Sequence, residues 1–367
     1  MKFSKNLKHL ESSGIRKVFD LVAKLKNPVN FSIGEPDFNV PKKVQDAAIK
    51  AIKSSKNKYT QTAGLLELRE KIVQKLKTEN NIKVPSGNVM ITSGTGGGMH
   101  LLFQVLLNPG DEVIITEPYF VIHKYIPETF GAKVVTVSSY PDFSLPVEGI
   151  ERAITKKTKM VIINSPNNPT GKVYREAEIK NLIDVLKKRN ILLVSDEIYE
   201  KFIYDDKHFS PASLYKNTFT LNGFSKAYAM TGWRVGYAVG SKDIISEMMK
   251  LQQYTYVCAP SISQYAVLEA FKTDTKKITR GYKKKRDIIY EGLKDFFEIE
   301  KPGGAFYVFP KAPEENASGF TERAVKKGVL IVPGSVFSKK DTHFRLSFAA
   351  SNKDLKKGIE ILRSVTK

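Results

Sequence analysis

Residues 223–236 read Gly223-Phe224-Ser225-Lys226-Ala227-Tyr228-Ala229-Met230-Thr231-Gly232-Trp233-Arg234-Val235-Gly236. The stretch joins an apolar run at 219–224, which reads as one strand, to another at 235–239, which reads as the next. Lys226 and Arg234 sit on that connection, eight residues apart. Two cations so placed can converge on one anion. A lysine also forms imines with aldehydes when its neighbours keep part of it deprotonated. The rest of the chain must then offer a place for an aldehyde that carries a phosphate.

Upstream, short apolar runs at 89–92, 112–116, 133–137, 160–164 and 191–195 alternate with helical patterns at 99–107, 147–153 and 175–188 and a mixed segment at 121–130. Such alternation predicts an α/β fold with a mostly parallel sheet sandwiched by helices. Ligands of these sheets sit beyond the carboxyl ends of the strands. Behind 89–92 comes Ser93-Gly94-Thr95-Gly96-Gly97-Gly98, either a tight turn or a phosphate cradle at a helix start. Phe120 follows 112–116, either covering a flat heterocycle or filling a helix core. Asn168 follows 160–164 between Pro166 and Pro169, either a fixed amide donor or part of an ordinary turn. Asp196 follows 191–195, either the partner of a buried cation or a helix cap. Each feature is ambiguous alone, but they fall after successive strands.

Toward the N-terminus, the spacing predicts a helix at 15–24, a strand broken by Gly34 and Pro36 at 31–38, and helices at 43–53 and 65–77. Toward the C-terminus, helices are expected at 241–254, 263–271, 279–297, 321–327 and 353–365, with strands at 305–309, 329–332 and 344–348. The expected division is a large domain at 40–270 and a smaller α+β domain built from 1–39 and 271–367.

Of 367 residues, 41% are hydrophobic and 26% charged, which fits a soluble globular chain with a substantial core. The net charge is +21. Its basic residues are spread along the chain, as at 42–43, 187–189 and 283–286, without a nucleic-acid-binding module, so a solvated surface is expected and no nucleic-acid partner. One cysteine, Cys258, excludes an intrachain disulfide framework. No metal site is expected. Neither a signal-type apolar region nor a run of about 20 apolar residues is present, so no membrane partner and a cytoplasmic location are expected.

With these motifs in order, the chain resembles the pyridoxal-phosphate-dependent aminotransferases of the class I/II, fold-type I group. The resemblance rests on 223–236, Asn168-Pro169-Thr170-Gly171, Asp196-Glu197-Ile198-Tyr199 and Phe344-Arg345-Leu346-Ser347-Phe348, and it runs from the Gly34-Glu35-Pro36 loop onward. It implies pyridoxal 5′-phosphate as cofactor, with Lys226 forming the imine and moving a proton as general base. Asp196 is similar to the partner of the pyridine nitrogen. Asn168 and Tyr199 resemble the pair that bonds the ring 3-oxygen, and Phe120 the stacking residue. Thr95, Gly96, Ser225 and Arg234 resemble the phosphate cup, and Tyr59 the tyrosine that reaches the phosphate of a neighbouring subunit. Arg345 is similar to the fork on the substrate carboxylate, and Gly34 to the loop that closes over it. Gly223 departs from the serine of many relatives, and Gly96-Gly97-Gly98 is richer in glycine than usual.

The resemblance further implies a homodimer with shared active sites. It would act on amino-acid and 2-oxo-acid substrates, aspartate or aromatic amino acids with 2-oxoglutarate, in two half-reactions through pyridoxamine phosphate. Side-chain recognition would involve Ile15, Ile33 and Tyr254-Thr255-Tyr256. A β-lyase or decarboxylase on the same scaffold is the alternative, and a basic nucleic-acid-binding protein the reading from a different class.

Overall fold

Strands that are apolar at every position belong between two layers, because successive side chains point to opposite faces. In the computed structural model, which describes residues 5–7, 10, 14, 27–313 and 316–366, this is where they lie. Met160 and Ile162 pack into one core, and Val161 and Ile163 into another on the opposite face. Val113 and Ile115 share the first core, and Ile114 the second.

The strands are β1 (Val29–Asn30), β2 (Val89–Thr92), β3 (Glu112–Glu117), β4 (Lys133–Ser138), β5 (Thr158–Asn164), β6 (Leu192–Asp196), β7 (Thr218–Gly223), β8 (Gly236–Val239), β9 (Tyr307–Val308), β10 (Val329–Leu330), β11 (Val332–Pro333) and β12 (Phe344–Ser347). The α-helices are α1 (Lys42–Lys53), α2 (Leu66–Glu79), α3 (Gly94–Leu106), α4 (Val121–Thr129), α5 (Val147–Ala153), α6 (Glu176–Lys187), α7 (Lys242–Gln253), α8 (Ser261–Ala270), α9 (Lys276–Leu293), α10 (Ala317–Lys326) and α11 (Asn352–Val365).

Seven strands form the central sheet in the order β2-β8-β7-β6-β5-β3-β4. Its pairs are parallel except those of β8, which runs against both β2 and β7. The mostly parallel sheet between helical layers is therefore present. A three-stranded antiparallel sheet, β11-β12-β9, and a parallel pair, β1-β10, stand apart from it. Their core joins Val29 and Phe31 to Phe306, Phe320, Leu346, Leu355 and Leu362, drawn from both ends of the chain. Amphipathic α11 contributes Leu355, Ile359 and Leu362 to it, and Ser351 caps the helix by accepting from the Asp354 N–H at 3.1 Å. Such a cap contributes about 1 kcal/mol. No helix among the described residues is long and apolar enough to cross a membrane.

Several expectations are corrected. α3 begins at Gly94 rather than 99, since the glycines form its first turns instead of a loop. Gly98 lets the helix lie close to the sheet, because a Cβ there would stand 2.8 Å from Leu221 Cδ2. The mixed segment at 121–130 is a helix with Pro127 inside it. The run at 329–332 divides between β10 and β11, which belong to different sheets. The strand expected at 31–38 is instead β1, which ends at Asn30. α10 starts earlier than 321 because Asn316 accepts from the Gly319 N–H at 3.1 Å and caps it there. The helix expected at 15–24 lies outside the described residues.

Gly236 opens β8 and pairs with Gly223 at the end of β7. A Cβ on Gly236 would stand 2.9 Å from the carbonyl carbon of Gly94 and 3.0 Å from the Asn222 oxygen. Both are backbone atoms and cannot swing away. Gly236→Ala is expected to cost about 1–3 kcal/mol by overpacking. It would be read as a lowered thermal midpoint of the cofactor-free protein; an unchanged midpoint would contradict the close approach.

Candidate active site

The connection quoted first hangs from the paired ends of β7 and β8, beside the carboxyl end of β6. Arg234 holds a left-handed backbone, φ 52°, which costs a non-glycine residue about 1–3 kcal/mol. Its guanidinium is braced by its own connection, where Nη1 donates to Thr231 O at 2.8 Å, and reaches the start of α3, where Nη2 donates to Ser93 O at 3.4 Å. Gly94, at φ +69°, makes room, since a Cβ would lie 2.7 Å from Arg234 Nη2. Ser93, at the N-cap of α3, makes no side-chain capping hydrogen bond. The N–H groups of the helix's first turn carry the positive end of the helix dipole, and Thr95, Gly96, Ser225 and Arg234 all line one cavity.

That cavity measures about 330 Å³. Gly34, Phe120, Asn168, Asp196, Tyr199, Lys226 and Arg345 complete its expected lining. Tyr59 lies apart from it, 80% exposed.

Lys226 is half-buried on the wall, and its ammonium donates to the Gly34 carbonyl at 2.6 Å. Burial pulls its pKa down to about 8; Glu35 and Asp196 pull upward, while Arg345 and Arg234 push further down. Deprotonation near pH 8 rather than 10.5 exposes a nucleophilic amine close to neutrality. Labelling of Lys226 in the cofactor-free protein by trinitrobenzenesulfonate should therefore fall about tenfold per pH unit below 8 and level off above it. Continued rise through pH 10, read by peptide mapping, would contradict the lowered pKa.

Asp196 ends β6 and is 2% exposed. Its Oδ1 accepts from the Ile198 N–H at 3.3 Å, and its Oδ2 lies 3.1 Å from His123 Nε2. His123 reaches it from α4 and is itself buried. Asn164, at the end of β5, donates to the Asp196 carbonyl at 3.0 Å and accepts from the Asn168 N–H at 2.8 Å. One amide thus fixes the loops after two adjacent strands. Phe120 precedes α4, meets His123 edge-on at 83° with ring centres 5.8 Å apart, and faces the cavity rather than a helix core.

Arg345, on β12, is 1% exposed. Its Nη1 donates to Asn168 Oδ1 at 3.0 Å and its Nη2 to Ser32 O at 2.6 Å. Burial lowers its pKa, with Tyr307 and Tyr199 pulling it back up. Nε is buried and has no hydrogen-bond partner among the described residues. An orphaned guanidinium N–H at a cavity wall is costly unless an acceptor completes it. Tyr199 lies 2.9 Å from Tyr307, hydroxyl to hydroxyl, and burial holds its pKa well above the ordinary tyrosine value.

The donor set fits a phosphorylated heterocyclic aldehyde. A helix start and Arg234 make an anion-binding end, Asp196 offers a carboxylate to a ring nitrogen, Lys226 offers an amine, and Arg345 Nε awaits a carboxylate. Sequence reasoning missed His123, Asn164 and Tyr307. Each meets a predicted residue from a different element, and no local pattern marks it. Gly223 lies outside this cavity, and a Cβ on it would stand 2.9 Å from Gly236 Cα. Ile15 lies outside the described residues.

A family model described as aminotransferase class I and II matches residues 26–362. The chain is 38% identical to a probable aspartate aminotransferase of Methanocaldococcus jannaschii, covering 99% of each chain. It is 34% identical to aromatic-amino-acid aminotransferase 2 of Thermococcus litoralis, over 100% of this chain and 99% of that one. Among solved structures, the aspartate aminotransferase of Thermus thermophilus with maleate superposes with a TM-score of 0.96 at 35% identity, covering 100% of both.

Proposed function

Because the chain belongs to the class I and II aminotransferases, a family of pyridoxal-phosphate-dependent enzymes, we propose that it moves the α-amino group of L-aspartate or an aromatic L-amino acid to 2-oxoglutarate. Pyridoxal 5′-phosphate is the cofactor in this reading, held in the 330 Å³ cavity. Bound there, it supplies an aldehyde carbon for the amino group and a protonated ring that accepts the electron pair left on the substrate α-carbon. Lys226 would hold the aldehyde carbon, and its free amine would serve as the base for the α-proton. Asp196, oriented by His123, keeps the ring nitrogen protonated. Asn168 and Tyr199 hydrogen-bond the ring oxygen, and Phe120 covers the ring face. Thr95, Gly96, Ser225 and Arg234 hold the phosphate. Arg345 forks onto the substrate carboxylate beneath the Gly34 loop.

The carrying observation is that one cavity unites an amine of pKa about 8, a buried carboxylate and a buried guanidinium with an open Nε. Among the described residues lining it, the cations are Lys226, Arg234 and Arg345. With those three engaged, the distal carboxylate of aspartate or 2-oxoglutarate calls for neutral donors or a residue from a second subunit. The same reading makes the protein a cytoplasmic homodimer with shared sites, Tyr59 crossing to the partner's phosphate. Its large domain spans 40–270, and a smaller one is built from 1–39 and 271–367.

A donor panel tests this. Aspartate, phenylalanine and tyrosine are each mixed with the holoenzyme while the visible band is followed and products are counted. Bleaching with one equivalent of 2-oxo acid, then glutamate formed on adding 2-oxoglutarate, is the expected result. Ammonia or carbon dioxide in stoichiometric amount would instead establish the lyase or decarboxylase.

A further inference from the structure

Tyr307 stands on β9, outside the central sheet, yet it touches two groups given roles above. It is fully buried. Its hydroxyl lies 2.9 Å from that of Tyr199, and the two rings meet edge-on at 86°. The Arg345 guanidinium lies 4.7 Å from the centre of the Tyr307 ring and 4.7 Å from that of Phe337, so it is held between two aromatic rings. A Cβ on Gly34 would run into the Tyr307 hydroxyl, which places that hydroxyl against the loop whose carbonyl receives Lys226.

We propose that Tyr307 is a positioning residue for transamination, its hydroxyl aiming the Tyr199 O–H at the cofactor ring oxygen and its ring fixing the Arg345 fork for the substrate carboxylate. This rests on the cofactor and reaction proposed above.

Two neutral phenols share one hydrogen bond, and either can donate. An anionic ring oxygen in the cavity can only accept. Tyr199 must then turn its O–H toward that oxygen, and its own oxygen becomes free to accept from Tyr307. Donors in series polarise one another, so the ring oxygen is stabilised beyond what Tyr199 achieves alone. Burial raises the pKa of both phenols, so both keep their protons at neutral pH. Asp196, Arg345 and Lys226 are the other charged groups facing Tyr199, with Lys226 Nζ 5.9 Å from its ring centre; Glu35 faces Tyr307. No acidic side chain is bonded to either hydroxyl among the described residues, so the pair itself is the donor chain.

The ring has a separate task. Arg345 commits one N–H of Nη1 to Asn168 and one of Nη2 to Ser32, which leaves Nε and the second N–H of each Nη for a forked ligand. Contact with an aromatic face holds a guanidinium without using any N–H.

The two tasks separate by substitution in the holoenzyme. Tyr307→Phe keeps the ring and removes the hydroxyl. It should raise the pH midpoint of the visible absorption band by about 0.5–1 unit, with KM for amino acid nearly unchanged and kcat lowered. In a Tyr199→Phe background the same change should add no further shift. Tyr307→Leu removes both and should additionally weaken maleate binding by about 3–30-fold, read as displacement of the absorption band. If Tyr307→Phe leaves the midpoint in place, or shifts it equally with Tyr199 absent, the hydroxyl role is overturned. Maleate binding unchanged in Tyr307→Leu overturns the ring role. A wild-type protein that takes up no pyridoxal phosphate would sink the functional reading instead, a result plainly different from either.

Discussion

Lys226→Ala is expected to lower turnover by about 10⁴-fold or more, since a general base alone contributes up to about that factor and the covalent attachment is lost with it. The chain should still fold. Lys226 lies on a connection rather than in a core, its polar contact is one bond to the Gly34 carbonyl, and removing a half-buried ammonium relieves desolvation. Cofactor should still bind weakly through the helix start and Arg234. Steady-state assays beside thermal unfolding separate the effects: lost turnover with an unchanged apo midpoint is expected. Turnover within tenfold of wild type would remove Lys226 from the chemistry.

Arg345→Leu is expected to cut kcat/KM for every carboxylate substrate by about 10²–10³-fold, as truncating one member of a buried, hydrogen-bonded charge contact does. The loss should appear mostly in KM and should be similar for amino acids and oxo acids, because both present the same carboxylate. Arg345→Lys restores the charge but not the fork, and so should recover only part. A loss confined to kcat would instead place Arg345 at the reacting atoms. Some instability is also expected in Arg345→Leu, since Asn168 Oδ1 and Ser32 O lose their donor.

The inner strands β3, β5 and β6 were legible because they are buried on both faces. Runs such as Met160 to Ile163 and Leu192 to Val194 are wholly apolar and too short for a helix, and turn residues such as Pro166 follow the first of them closely. Where polar loops follow those strands, the candidate residues stood in the chain order of the strands, and the cavity gathers them. What local pattern could not give was register between distant segments. His123 looked like one more polar residue in a segment that Pro127 made irregular; the packing of α4 on the sheet and on α3 brings it to Asp196. Tyr307 lies within an apolar run, Gly304 to Phe309, where a tyrosine reads as core, and it is core on one side and cavity wall on the other. The order of strands was equally hidden: nothing in Gly236 to Val239 says that β8 slots antiparallel between β2 and β7. The glycines at 94–98 misled because low helix propensity obscured a helix that tertiary contact secures.

These particulars narrow the meaning of the first stretch. Arg234 faces the start of α3, while Lys226 turns to the Gly34 loop, so the two cations serve different parts of one cavity.

The most direct test of that division is reduction of the holoenzyme with borohydride, followed by proteolysis and mass measurement of the peptides. One phosphopyridoxyl group per chain, on Lys226, is the expected result. A turnover-competent protein that carries the group on another lysine, or carries none, would contradict it.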